Sequence, residues 1–284
     1  MVEWLWCLVY PFQFEFMCYA LLSAWLVSVP SAMFSCLLVL RGWSLIGDAI
    51  GHAVLPGIVV AYLLSLPFWV GAFIAAMVFS LATWFIQLNS TIKPDTIVGV
   101  VFSGMFGLGI VLVVSVRSNM DLGHIFFGDS MGVSSSDLAR MLYVAVALVL
   151  FMVCKRKDLL ICAFDSIHAS SLGLSVFLVN CCLLCALSCS IVLSVEVVGS
   201  VLAVALLVMP GATAVLLSQS FDRMLLIAVL VAFFASIIGS YISFYLDAAL
   251  GPSIVLCMTL IFLVAFSSSK ICLGVRDRRS PHCE

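Results

Sequence analysis

The chain of 284 residues is 65% hydrophobic and only 9% charged, with a mean hydropathy of +1.31. Soluble domains carry about a quarter charged residues, so there is too little charge here to cover a water-facing globule. The net charge of −2 comes with no basic block, which leaves a nucleic-acid partner without support. Most of the twelve cysteines sit inside apolar runs, among them Cys18, Cys36, Cys154, Cys181, Cys182, Cys185, Cys189 and Cys257. There a thiol behaves as a small hydrophobe, and no disulfide framework is implied.

Apolar stretches of about 20 residues cross a bilayer as helices. Nine such stretches run in order over residues 14–40, 45–66, 67–88, 96–116, 138–154, 174–194, 197–217, 224–246 and 251–268. Eight or ten spans also fit, because almost no polar residue divides 66 from 67 or 194 from 197. The chain is thus expected to be an all-α polytopic membrane bundle, with a transmembrane domain over 1–269 and a cytoplasmic tail over 270–284 that lacks regular structure. The N-terminus has no basic n-region or small-residue cleavage site, so the spans themselves are expected to direct insertion.

Basic residues mark the cytoplasmic side. Placing a Lys155-Arg156-Lys157 loop inside also puts Arg41, Lys93, Arg223, Lys270, Arg276, Arg278 and Arg279 there, ten of the twelve Lys and Arg. Nine alternating spans then leave the N-terminus outside and the C-terminus inside. The longest external segment, 117–137, carries the apolar patch Ile125-Phe126-Phe127 and is expected to form a short interfacial or re-entrant helix, buried by protein.

The second span holds the most informative chemistry. Asp48 and His52 are four apart and share one helix face within otherwise apolar sequence. Ionisable groups at membrane depth are costly and mark function. A carboxylate oxygen and an imidazole nitrogen at this spacing can both reach one divalent cation, and the pairing suits manganese, ferrous iron or zinc. Two ligands do not complete a site; a second subunit, carbonyls beside Pro56 and Gly57, or water would supply the rest. The alternative is that Asp48 and His52 only pair with each other to join helices.

Enzyme readings fare poorly. Gly47-Asp48 and Gly128-Asp129 lack the earlier glycine of an intramembrane aspartyl protease, with Leu45 and Phe126 in its place. His-Glu-x-x-His is absent, and so is any Gly-x-x-x-x-Gly-Lys-[Ser/Thr] phosphate loop. Energy from ATP would have to come from another chain.

The run Arg-Gly-Trp-Ser-Leu-Ile-Gly-Asp-Ala-Ile-Gly-His-Ala-Val-Leu-Pro-Gly over 41–57 resembles the signature of permeases of the manganese, iron and zinc ABC importer family. The likeness continues through Val98-Gly-Val-Val-Phe-Ser103 with Gly107-Leu-Gly109, Asp121-Leu-Gly-His-Ile-Phe-Phe-Gly128, Phe164-Asp165 with Ser171-Leu-Gly-Leu174, and Val197-Val-Gly-Ser200. Leu207-Val-Met-Pro-Gly-Ala-Thr-Ala214 and Leu246-Asp247 with Gly251 complete it. Trp43-Ser-Leu-Ile46 and Met209-Pro-Gly-Ala-Thr213 look closer to the manganese/iron branch.

This resemblance implies an ABC importer permease fold and a second permease subunit, identical or different, beside this one. It also implies cytoplasmic ATP-binding subunits and an extracytoplasmic metal-binding protein, with no permanently bound cofactor. It assigns Asp48 and His52 to a metal site in the pathway. It also gives the cytoplasmic segment 158–173, with Asp165, Ser171, Leu172 and Gly173, the role of coupling to the ATPase. The acid that usually follows the matching Asp is missing, and an ordinary loop helix is the alternative.

Weaker signals complete the reading. Pro210 and Gly211 form a candidate flexing point, since proline frees a carbonyl and permits a kink. His124, Asp129, Glu196 and Asp247 are external candidates for attracting cations, although acids at helix ends are common. Cys181, Cys185 and Cys189 share a helix face and read better as small packing residues than as metal ligands. The leading functional expectation is the permease of an ATP-driven divalent-metal importer. An ion-coupled secondary transporter acting without an ATPase is the alternative, and a membrane receptor or scaffold the third reading.

Overall fold

A backbone in hydrocarbon finds no water, so each spanning segment must satisfy its own N–H and C=O groups. The computed structural model of the protein describes residues 10–116 and 134–278, and among them every regular element is a helix. A short 3₁₀ turn over Tyr10–Gln13 leads into α1 (Glu15–Arg41). There follow α2 (Ser44–Ala53), α3 (Leu55–Leu63), α4 (Phe68–Leu88), α5 (Pro94–Val116), α6 (Ser135–Phe164), α7 (Ser166–Ser171), α8 (Val176–Leu217), α9 (Phe221–Leu246) and α10 (Leu250–Arg278). Nine stretches of the described residues are long and apolar enough to cross a membrane, matching the expected number.

Helix α1 is the central post. Its apolar window is 72% buried, against 17% for α5 at the periphery. Small residues let its neighbours approach, and Ser23, Ser28, Ser31 and Ser35 along it are all buried. Ser31 Oγ lies 3.1 Å from Ser190 Oγ and 3.2 Å from Ser194 Oγ, while Ser35 Oγ accepts the Gly211 N–H at 2.9 Å.

Those contacts reveal a reversal inside α8. A straight helix would separate residues 190 and 211 by about 31 Å at 1.5 Å per residue. Both instead bond to residues one turn apart on α1, so the chain must double back between them. The corner is Gly199, whose φ of 79° and ψ of 170° are non-helical. It divides the two apolar arms Val176–Glu196 and Val198–Leu217, where the sequence offered almost no polar break. A left-handed φ with an extended ψ is essentially confined to glycine.

Two further departures from the sequence reading stand out. Helix α6 does not stop at 154: it runs through Lys155-Arg156-Lys157 to Phe164. Those bases are therefore helical rather than a loop. Nothing between 154 and 164 breaks a helix, and the charges find partners, with Lys155 Nζ 3.1 Å from Asp158 Oδ2 and Arg156 Nη1 2.6 Å from Asp222 Oδ1 on α9. Likewise the backbone of α10 stays helical to Arg278, within the stretch 270–284 expected as an irregular tail.

Helices α3 and α4 cross with no side chain between them. A Cβ on Gly57 would overlap the carbonyl oxygen of Gly71 and one on Gly71 that of Gly57, with Ala61 and Ala75 beside them. This is the small-residue packing that membrane helices use in place of a hydrophobic driving force.

Candidate metal-pathway site

The site begins with a turn. Helix α1 ends at Gly42 in the left-handed region (φ 69°), where Trp43 N–H bonds Leu38 O at 2.9 Å and Gly42 N–H bonds Val39 O at 3.2 Å, a glycine C-cap. Arg41 steadies it, with Nη1 donating to Asn180 Oδ1 at 2.9 Å and the guanidinium 5.0 Å from the Trp43 ring. The chain then enters α2, whose Ile46, Gly47, Ala49, Ile50, Gly51 and Ala53 are buried. Gly47 sits against Leu207 of α8, where a Cβ would lie 3.1 Å from Leu207 Cδ1.

With that side of α2 packed, Asp48 and His52 are partly open, their side chains 48% and 26% exposed, as are Ser44 and Leu45 in the first turn. The separation of Asp48 Oδ1 and His52 Nε2 is 3.4 Å. Two ligand atoms each about 2.1 Å from one cation lie about 3.0 Å apart at a right angle and about 3.4 Å apart at a tetrahedral one. That spacing suits two donors to a common ion, and it is also that of a direct Asp48–His52 ion pair. Among the described residues no cluster of three or more His, Cys, Asp or Glu could hold a metal, so this pair supplies only part of a coordination shell.

The span bends after Ala53, with Val54 still in the right-handed helical region (φ −71°, ψ −16°). Helix α2 ends at Ala53, Val54 is a turn, and α3 starts at Leu55 with Pro56 in its first turn. Pro56 has no N–H and cannot make the usual helical bond to the His52 carbonyl four residues back, which the Val54 N–H meets instead. Two aromatic residues of α5, Phe102 and Phe106, face the imidazole. Sequence reading missed them: their i, i+4 spacing was visible, but nothing linked them to a histidine 50 residues earlier.

The proposed coupling residues gather at α7. Asp165 is its N-cap, and Oδ1 accepts the N–H groups of Ile167 and His168, both at 2.9 Å. The His168 N–H chiefly, with that of Ile167, holds the carboxyl below its ordinary value against slight desolvation. The helix covers only 166–171; Gly173, at φ 80°, ends the turn, with Leu174 N–H bonding Ala169 O at 3.1 Å. Ser171 and Leu172 are exposed, and Phe164, Ile167 and Leu172 form an open apolar tip beside a capped polar turn.

The remaining candidates are dispersed. Gly211 is buried against Ser35, and the non-helical backbone of α8 lies at Gly199 rather than at Pro210-Gly211. Glu196 is engaged by Arg140, with Nη2 to Oε1 at 2.6 Å, so its charge is compensated. Asp247 is the exposed left-handed C-cap of α9 (φ 49°, ψ 42°), a role that aspartate tolerates. His124, Asp129 and the segment around Ile125-Phe126-Phe127 lie outside the described residues. Cys181, Cys182, Cys185 and Cys189 form no disulfide and no metal-holding group.

This architecture has close counterparts. The model of the ABC 3 transport family matches residues 13–269. The chain is 43% identical over 269 residues to the chelated iron transport system membrane protein YfeD of Yersinia pestis, covering 95% of this chain and 90% of that one. It is 38% identical over 262 residues to the manganese transport system membrane protein MntB of Synechocystis, covering 92% and 85%. A solved chain of PsaBC from Streptococcus pneumoniae in complex with Fab superposes with a TM-score of 0.82 at 34% identity, over 94% of this chain and 95% of that one. An all-α membrane bundle with this order of spans and these relatives along nearly its whole length belongs to the ABC 3 transport family.

Proposed function

We propose that this chain is the permease subunit of an ATP-driven importer for a divalent transition metal, manganese or ferrous iron, with zinc admitted by the same donors. The observation that carries this reading is the Asp48–His52 pair, 3.4 Å apart and partly open on one face of α2. A hard carboxylate with a borderline imidazole matches manganese and ferrous iron, the elements in the names of MntB and YfeD. Carbonyls beside Pro56 and Gly57, water, or a second permease subunit, identical or different, would add ligands.

Metal reaches the outer mouth on an extracytoplasmic binding protein and passes Asp48 and His52. ATP hydrolysis in separate cytoplasmic subunits resets the path through α7. The capped turn at Asp165 and the open tip of Phe164, Ile167 and Leu172 support that contact, since exposed apolar residues on a short element outside the bilayer mark a docking surface. The distribution of basic residues supports an N-terminus outside and a C-terminus in the cytoplasm.

Elemental analysis of cells lacking the chain tests the reading. Manganese or iron content falls, the wild-type chain restores it, and Asp48→Ala or His52→Ala does not, although each variant reaches the membrane in normal amount. Full restoration by both variants would remove the site.

A further inference from the structure

Two aromatic rings that meet His52 come from a single helix. On α5, Phe102 and Phe106 are one turn apart and stacked, with ring centroids 5.6 Å apart and planes inclined by 15°. The imidazole of His52 meets both, edge to face with Phe106 at 5.9 Å and 68°, and tilted to Phe102 at 6.2 Å and 58°. Gly109 extends the same stripe, because 102, 106 and 109 follow the i, i+4, i+7 spacing of one helix face. A Cβ there would lie 2.9 Å from Leu55 Cδ2 and 3.0 Å from Pro56 Cδ.

Helix α5 therefore meets the second span at two levels. Bare backbone at Gly109 seats it on the α2–α3 junction, and two rings flank the imidazole just before that junction. Few of its residues are buried: Ile97, Val98 and Gly109, with Val101, Phe102 and Met105 packed partly on the core. A ligating imidazole must aim one nitrogen at the metal, and the groups that fix its ring plane tune affinity nearly as much as the ligands do. Edge-to-face and tilted contacts with two stacked rings restrict that plane.

We propose that Phe102 and Phe106 are positioning residues of the metal pair, holding the His52 imidazole so that Nε2 stays turned toward Asp48. The inference rests on Asp48 and His52 being the metal pair. It carries a consequence for selectivity. An imidazole held at one angle to the carboxylate favours one coordination geometry, whereas a loosened one follows the tetrahedral preference of zinc as readily as the six-coordinate preference of manganese.

The test uses the complete transporter with its partner subunits and measures uptake of manganese, ferrous iron and zinc. The variants are Phe102→Leu, Phe106→Leu, the double substitution and Phe106→Tyr. Phe262→Leu, from the separate Phe262–Phe266 stack on α10, is the control. Loss of both rings is expected to raise KM for the preferred metal about tenfold, the lower end for losing an outer-shell partner. The maximal rate per assembled transporter holds, and discrimination among the three metals shrinks. Phe106→Tyr keeps a ring in place and stays near wild type, as does the control.

Unchanged KM and selectivity in the double variant would overturn the proposal, and so would a loss confined to assembly or maximal rate. If the double variant does not assemble, the two single variants are read by the same criteria. His52→Ala run in parallel separates the two levels. Normal uptake there removes the metal pair itself, whereas an inactive His52→Ala beside a wild-type double Phe variant removes only the positioning role.

Discussion

Alanine at Gly211 should destabilise the bundle more than any loss of polar contact at the same place. A Cβ there would stand 2.5 Å from the Ser35 carbonyl carbon, from its oxygen and from Oγ, about 1 Å inside ordinary contact. Two of those atoms are backbone, so α1 and the second arm of α8 must separate, and overpacking of this kind costs about 1–3 kcal/mol. Ser35→Ala instead removes only the 2.9 Å bond from the Gly211 N–H, worth about 0.6 kcal/mol on average between membrane helices. The ordering is therefore Gly211→Ala well below Ser35→Ala, with Ser35→Ala unable to rescue Gly211→Ala. Unfolding of the purified chain, followed by circular dichroism as denaturing detergent is titrated in, measures all three. Wild-type stability in Gly211→Ala, or its recovery in the double variant, would refute the tight crossing. If Pro210-Gly211 serves instead as a flexing point, Gly211→Ala alters transport at unchanged stability.

Three other outcomes are expected. The Asp165 carboxyl is held below its ordinary value by the His168 and Ile167 N–H groups. Its capping contribution is therefore complete above the usual carboxylate range near pH 4 and is lost as pH falls through the lowered folded value. Asp165→Ala should speed hydrogen exchange at the Ile167 and His168 amides at neutral pH, and Asp165→Ser, another N-cap residue, should restore protection; equal exchange in all three chains counts against the cap. At the open tip of α7, Ile167→Asp or Leu172→Asp should abolish co-purification of the ATP-binding subunits while leaving the folded chain intact, and undiminished co-purification speaks against docking there. Because Arg140 already compensates Glu196 at 2.6 Å, Glu196→Gln should leave metal uptake at low ionic strength close to wild type. A fall in uptake that salt abolishes would instead favour cation attraction by that carboxylate.

The spans were legible because length and apolarity alone decide which segments cross a membrane. The Asp48–His52 face was legible because i, i+4 spacing is a local property of one helix, and the resemblance around residues 41–57 drew attention to it. Features set by distant partners were not. The reversal near 194–197 was expected from the spans, but its corner at Gly199 was not, because Glu196 is the one charge there and no cluster of turn residues marked the position. The extension of α6 past 154 hid behind a basic cluster that resembles a loop; its continuity depends on Asp158 in the next turn and Asp222 on α9. Glu196 read as a free external acid because Arg140 is 56 residues away. Phe102 and Phe106 looked like ordinary apolar residues until the fold set them against His52.

Reconstitution tests the central claim most directly. Purified chain is placed in lipid vesicles with and without its ATP-binding and metal-binding partners, and manganese and iron accumulation is followed on addition of ATP. The account predicts accumulation only with the partners and ATP, and none when His52→Ala or Asp48→Ala replaces the wild-type chain. Metal uptake by this chain alone, driven by an ion gradient without any ATPase, would contradict it and identify a secondary transporter.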